Sequence, residues 1–168
     1  MKRPREAHML SPVVAIGNEG RKPALIAGIA FVAFTAALAP VRPYMAFATF
    51  SYGLMVVGLA LKRRPSLHVP LMASAIALDL AIVAVLEVQR HAVDTAASFA
   101  LTPWQQTHIF ASTAAVLLYG PAAYLGYRRW RNTASRRQAS FHRAFGFAAF
   151  VFRTIGFVLM FSLLWRTG

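Results

Sequence analysis

The chain alternates between long apolar segments and short polar segments that are rich in arginine. Five apolar segments approach the roughly 20 residues that a helix needs to cross the hydrocarbon core of a bilayer. They cover residues 24–41, 43–61, 69–88, 108–127 and 145–164. We therefore predict an all-α fold, an integral membrane bundle of five transmembrane helices that forms one domain over residues 24–168. Residues 1–23 hold no apolar core long enough for a signal peptide and are predicted to form a basic cytoplasmic tail.

The fourth apolar segment contains the stretch GPAAYLG, which combines a proline with several small residues. Proline lacks a backbone N–H, so we predict a kink near Pro121. Small residues allow two helix backbones to come close together in a membrane. We therefore expect a neighbouring helix to pack tightly here.

The charges are lopsided and lie between the apolar segments. The chain has 18 Lys and Arg against 5 Asp and Glu, yet 58% of its residues are hydrophobic. Cations that follow a polar helix face would favour nucleic acid, whereas cations in short loops follow the positive-inside rule. They concentrate in the tail, in residues 62–64 and in residues 128–143. We predict a multi-pass membrane protein with its N-terminus inside, its C-terminus outside and no nucleic-acid partner.

Composition also restricts the chemistry. The absence of cysteine excludes disulfides, thiolate metal sites, iron–sulfur clusters and covalent c-type haem. No Gly-rich phosphate loop, HExxH motif or nucleophile elbow is present, so we predict no catalytic residues and no enzyme activity. The basic loop could bind acidic lipid or a protein partner, although topology alone explains its charge. Its candidate residues are Arg128, Arg129, Arg131, Arg136 and Arg137.

Two of the predicted helices share a spacing between a histidine and a charge. Asp79 follows His68 by eleven residues, and Arg153 follows His142 by eleven residues. Eleven residues make about three helical turns, or roughly 16 Å, so both charges are expected at similar depth. A lone charge there costs at least roughly 2.5–3.5 kcal/mol, which favours an ion pair between Asp79 and Arg153. Separate contacts with water or backbone, or a pairing of Asp79 with a tyrosine, stay open.

Histidines also mark both ends of the third apolar segment. At the outer end, Glu87 and His91 share a helix face and His108 opens the next helix, a set that suits copper, iron or zinc. Interfacial histidines are common, however, and Glu87 could simply reach water. At the inner end, His68 and His142 lie near Met72, a set that suits Cu(I) or haem iron.

The inner set has a plain alternative as well. Most methionines fill hydrophobic cores, and histidines beside arginine-rich loops can bind anionic headgroups. His68 and His91 lie about 35 Å apart along one helix, so a single metal centre cannot use both. The layout predicts two separate sites, inner and outer, or none. Neither the copper nor the haem reading follows from the spacing alone.

The order of these histidines resembles the small bacterial membrane family typified by the YozB and CtaM proteins. In that pattern, H-x-x-x-M opens a helix, a histidine follows at its far end, another opens the next helix, and H-R opens the last one. The matching stretches HVPLM, QRH, QTHIF and FHRAFGF contain His68, His91, His108 and His142. The match covers roughly residues 42–164, although FVFRTIGF and LEVQRH depart from the family pattern.

The resemblance implies a role in assembly rather than in turnover. Members such as CtaM are linked to maturation of haem–copper oxidases, so we expect this chain to handle copper or haem b near such an enzyme. The four matched histidines become candidate ligands, with Met72 and Glu87 as supporting ligands. Two other readings remain open, namely an accessory subunit of a larger membrane complex and a small haem-b redox protein or transporter.

Overall fold

The computed structural model describes residues 21–40, 42–90, 94 and 102–161, and these form an all-α structure. The helices are α1 (Arg21–Leu38), α2 (Pro43–Ala60), α3 (Pro65–Arg90), α4 (Pro103–Trp130) and α5 (Arg136–Met160). By length and composition, α2 to α5 can each cross a membrane. The apolar part of α1, Ile26–Leu38, is shorter. The chain therefore has the helices of a multi-pass membrane protein, and most of the predicted tail lies outside the described residues.

Several helices extend beyond the apolar segments that predicted them. The helix predicted from residue 145 begins at Arg136, because a capping box defines its N-terminus there. Ser135 Oγ accepts from the Gln138 N–H at 3.3 Å, and Gln138 Oε1 accepts from the Ser135 N–H at 3.0 Å. Hydrophobicity reports where lipid surrounds a helix, whereas caps decide where its backbone begins. The predicted segment therefore covers only part of α5.

The helices α2 to α5 pack as two hairpins, α2 with α3 and α4 with α5. The α2–α3 loop carries the exposed cations Lys62, Arg63 and Arg64. The α4–α5 loop turns at Asn132, whose φ of 56° is left-handed, a conformation that asparagine tolerates well. The hairpins touch through α2 with α5 and through α3 with α4, while α1 packs on α2.

Small residues fill the centre of the bundle. Ala75, Ala115 and Ala149 are buried beside Met55 and Tyr119, one or more from each of α2 to α5. Their small side chains let the four helices approach around a few polar groups. Large apolar side chains cover the outside instead, as at Val83, Leu117 and Val158. In a membrane this exposed apolar surface contacts lipid.

Candidate functional site

An ion pair joins the two hairpins in the middle of the bundle. Arg153 on α5 donates from Nε to Asp79 Oδ2 at 2.7 Å and from Nη2 to Asp79 Oδ1 at 2.9 Å. Asp79 is 6% exposed and Arg153 is 7% exposed. Such a two-pronged contact is the strongest geometry available to a guanidinium and a carboxylate. The structure thus contains the ion pair between Asp79 and Arg153 that the sequence predicts.

The same carboxylate also binds both remaining helices of the hairpins. Ser51 on α2 donates to Asp79 Oδ1 at 2.6 Å, and Tyr119 on α4 donates to Asp79 Oδ2 at 2.7 Å. Arg153 Nη2 also donates to the Ala48 carbonyl on α2 at 3.2 Å. Pairing with a tyrosine therefore accompanies the ion pair. Asp79 accepts from three neighbouring helices, so its role is to hold the bundle together.

All buried side-chain N and O atoms in the described part of the chain have a hydrogen-bond partner. Burying a charge is costly unless it is paired and hydrogen-bonded, and this network meets both conditions. Each carboxylate oxygen of Asp79 already accepts two hydrogen bonds. The network is therefore an architectural element and has no spare acceptor for a ligand.

The two inner histidines are held in the same way, each by a backbone carbonyl of the preceding helix. His68 Nδ1 lies 2.7 Å from the Gly58 carbonyl oxygen on α2, and His142 Nδ1 lies 3.0 Å from that of Ala122 on α4. A carbonyl only accepts, so Nδ1 must carry the proton. In the neutral imidazole, Nε2 then has a free lone pair, and within the described ranges it contacts no hydrogen-bonding group.

Both rings lie at the same end of the bundle, and Met72 of α3 lies against Gly58, whose carbonyl also binds His68. A Cβ at Gly58 would lie 2.9 Å from Met72 Sδ, and a Cβ at Gly126 would lie 2.9 Å from His142 Cε1. The absence of a side chain at Gly58 makes room for Met72, and its absence at Gly126 makes room for His142. The close helix contact expected at GPAAYLG is found at Gly126 of α4, against which the His142 ring of α5 packs.

The outer histidine of α4 faces its partner helix. His108 Nδ1 lies 2.7 Å from the Gly156 carbonyl oxygen on α5, so Nδ1 carries the proton and Nε2 is the nitrogen with the lone pair in the neutral ring. Glu87 lies half-buried on α3, and His91 is outside the described residues. The predicted meeting of these three groups therefore also lies outside them.

No group of three or more His, Asp or Glu that could hold a metal ion occurs among residues 21–40, 42–90, 94 and 102–161. A zinc site with three or four protein ligands is consequently not formed by these residues. Two imidazoles with a thioether form a smaller donor set. That number suffices for Cu(I) or for the two axial positions of haem iron.

The basic loop between α4 and α5 is ordered by its own contacts. Arg128 Nη2 donates to the Thr133 carbonyl at 3.2 Å, and the Arg137 guanidinium lies 5.5 Å from the centre of the Phe141 ring. The acidic residues that the structure describes lie in or after the middle of α3 and not at this end. The remaining candidates for lipid or partner binding are exposed, namely Arg129, Arg131 and Arg136.

Sequence reasoning did not single out Ser51 or the tyrosine that binds Asp79. Tyr119 lies eleven residues into α4 from His108, the same spacing that marks Asp79 and Arg153, and that repeat was the available signal. The acceptors Gly58, Ala122 and Gly156 carried no signal, because every residue has a carbonyl.

Similarity to known proteins adds no further constraint on this site. Comparisons of the chain with protein-family models, with curated proteins and with solved structures find no match.

Proposed function

We propose that this protein assists the assembly or maturation of a haem–copper respiratory oxidase by holding copper or haem at its inner histidines. It would do so as a five-span protein of the bacterial inner membrane, with its N-terminus in the cytoplasm and its C-terminus outside. The resemblance to the YozB and CtaM family supports the oxidase, and the histidine geometry supports the ligand.

The fifth span in this proposal is α1. Its 18 residues make a helix of about 27 Å, close to the roughly 30 Å of a hydrocarbon core. Placing the arginine-rich loops in the cytoplasm then puts the N-terminus on that side as well. The ion pair between Asp79 and Arg153 would lie near the bilayer centre, where an unpaired charge is most costly.

One observation carries the ligand proposal: His68 and His142 each donate from Nδ1 to a carbonyl, and neither Nε2 has a hydrogen-bond partner among the described residues. Histidines that bind metals usually have this arrangement, in which the second ring nitrogen is held by a carbonyl or carboxylate. Each hairpin supplies one imidazole, so the pair exists only when the bundle is assembled. Met72 lies against Gly58, whose carbonyl binds His68, and would add a thioether, which suits soft Cu(I).

In this proposal the copper or haem is cargo that the protein holds for the oxidase. His68 and His142 would bind it through Nε2, and the carbonyls of Gly58 and Ala122 would keep both rings oriented. The surrounding apolar helices would limit access of water. The bound group supplies redox chemistry to the oxidase and none to this chain.

Gentle purification tests the proposal. Wild-type protein should carry haem, seen as a Soret band, or stoichiometric copper, measured by elemental mass spectrometry, with oxidase subunits among its co-purifying proteins. His142→Ala should lose the ligand, while His8→Ala, a change in the N-terminal tail, should keep it. Wild-type protein with neither ligand but with a fixed partner complex would overturn the proposal in favour of an accessory subunit.

A further inference from the structure

We propose that the arginine-rich end of the α4–α5 hairpin is a binding surface for the phosphate groups of anionic phospholipids in the surrounding bilayer. We call it the basic surface. It consists of six arginines in or beside the turn, together with the exposed aromatic residues next to them. The arginines are Arg128, Arg129, Arg131, Arg136, Arg137 and Arg143. The inference is independent of any ligand at the histidines.

The basic surface lies where the apolar spans of the hairpin end. The helix α5 begins at Arg136, whereas its apolar segment begins at residue 145. Nine residues of helix rise about 14 Å. The interfacial layer on each side of the hydrocarbon core is only roughly 5–7 Å thick. The first turns of α5 therefore pass through the layer that holds the lipid phosphates, and they carry their arginines into it.

Exposed aromatic side chains mark the same layer on α4. Tyr127 and Trp130 are both more than half exposed, and their ring centres lie 6.3 Å apart in an edge-to-face contact. Tyr124 is exposed one turn earlier. Tyr and Trp are enriched at membrane interfaces, because an apolar ring can meet hydrocarbon while its polar atom meets the headgroups. Their position next to Arg129 and Arg131 places these cations among headgroups.

The type of cation also favours phosphate. All six positions hold arginine, although lysine serves the positive-inside rule equally well. A guanidinium offers parallel donors that match two oxygens of one phosphate. Two of the side chains are already held in place: Arg128 Nη2 donates to the Thr133 carbonyl at 3.2 Å, and the Arg137 guanidinium lies 5.5 Å from the centre of the Phe141 ring. A side chain that is already ordered loses less freedom on binding.

The distribution of the exposed groups favours lipid over a protein partner. Arg136 and Arg137 are both exposed and, as successive helical residues, point about 100° apart. Arg129 and Trp130 have the same relation on α4. A protein partner covers one face of a helix, whereas lipid surrounds every side that the bundle leaves open. No acidic residue in the described ranges lies at this end to neutralise the arginines.

Quenching of tryptophan fluorescence by brominated lipids tests the inference, because it measures which lipids lie beside a chosen tryptophan. A protein that keeps only Trp130 (Trp104→Phe with Trp165→Phe) is placed in vesicles that contain phosphatidylglycerol and phosphatidylcholine, with either lipid brominated. Both leaflets have the same composition, so orientation and membrane insertion do not affect the result. We expect Trp130 to prefer the anionic lipid at least about fivefold, the factor that one cation contributes near a charged bilayer.

Three controls belong to this measurement. A protein that keeps only Trp104 reports the opposite end, near the acidic residues of the described structure, and should show a preference close to one. Removing the two cations beside Trp130, in Arg129→Gln with Arg131→Gln, should bring its preference close to one as well. Arg42→Gln, an exposed cation at the other end of the bundle, should change nothing. Salt at 1 M should lower the preference, because it shortens the screening length to about 3 Å.

The opposite results are equally defined. Equal quenching of Trp130 by the two lipids would overturn the inference and leave the basic surface to a protein partner. A preference that 1 M salt leaves unchanged would overturn it, because the attraction would then not be electrostatic. The same anionic preference at Trp104 would overturn it too, since the preference would not belong to the basic surface.

Discussion

Removing the buried carboxylate should destabilise the bundle strongly. In Asp79→Asn the negative charge is lost, the amide oxygen can accept only one of the two hydrogen bonds from Arg153, and the amide NH2 places a donor against the guanidinium. An unpaired charge in a bilayer costs at least roughly 2.5–3.5 kcal/mol, and breaking a buried pair from one side typically costs about 3–5 kcal/mol. We therefore expect Asp79→Asn to lower the free energy of unfolding by about 3–5 kcal/mol.

The assay is unfolding by SDS in mixed micelles, followed by helical circular dichroism, for each single variant and for the double variant. Asp79→Asn with Arg153→Gln removes both charges, so it should regain about 2 kcal/mol relative to Asp79→Asn. Asp94→Asn removes the same group from an exposed position and should change stability by less than about 0.5 kcal/mol. Purely additive effects of the two core substitutions would refute an ion pair.

Three further predictions concern single positions. Tyr119→Phe removes one donor from the buried carboxylate and should cost about 1–2 kcal/mol in the same unfolding assay; no loss would contradict the contact. Gly126→Ala puts a methyl group 2.9 Å from the histidine ring that faces it, so it should lower both stability and ligand content. In Gly120→Ala the new methyl group meets nothing within 4 Å, so stability should be unchanged or slightly higher. Equal effects at the two glycines would contradict the packing of the His142 ring against Gly126. The chain has no cysteine, so Thr133→Cys should react with an impermeant maleimide only in inside-out vesicles and Asp94→Cys only in intact spheroplasts. The reverse pattern would show the opposite orientation.

The helices and the central pair could be predicted because each follows from a local cost. Apolar segments of bilayer length are visible in the sequence. Two charges at equal depth in a membrane are costly unless each is paired. The first and last residues of the helices could not be predicted with the same accuracy. They depend on caps such as Ser135, which hydrophobicity does not report.

The ring orientation and tautomer of the histidines could not be predicted from the sequence for a different reason. The spacing placed His68 and His142 at one end of the bundle, but their tautomer depends on which backbone atom lies opposite Nδ1. That atom belongs to Gly58 or Ala122 on another helix, and its position depends on how closely the helices pack. Small residues at the contacts indicate close packing without fixing its register.

The function we propose is the maturation of a haem–copper oxidase through the inner histidines. The most direct measurement is the haem absorption of that oxidase in membranes from cells lacking the gene, with variants returned at matched protein levels. We predict that deletion removes the oxidase signal, that wild type and His8→Ala restore it, and that His68→Ala and His142→Ala do not. A full oxidase signal in the deletion strain, or its restoration by His142→Ala, would contradict the claim.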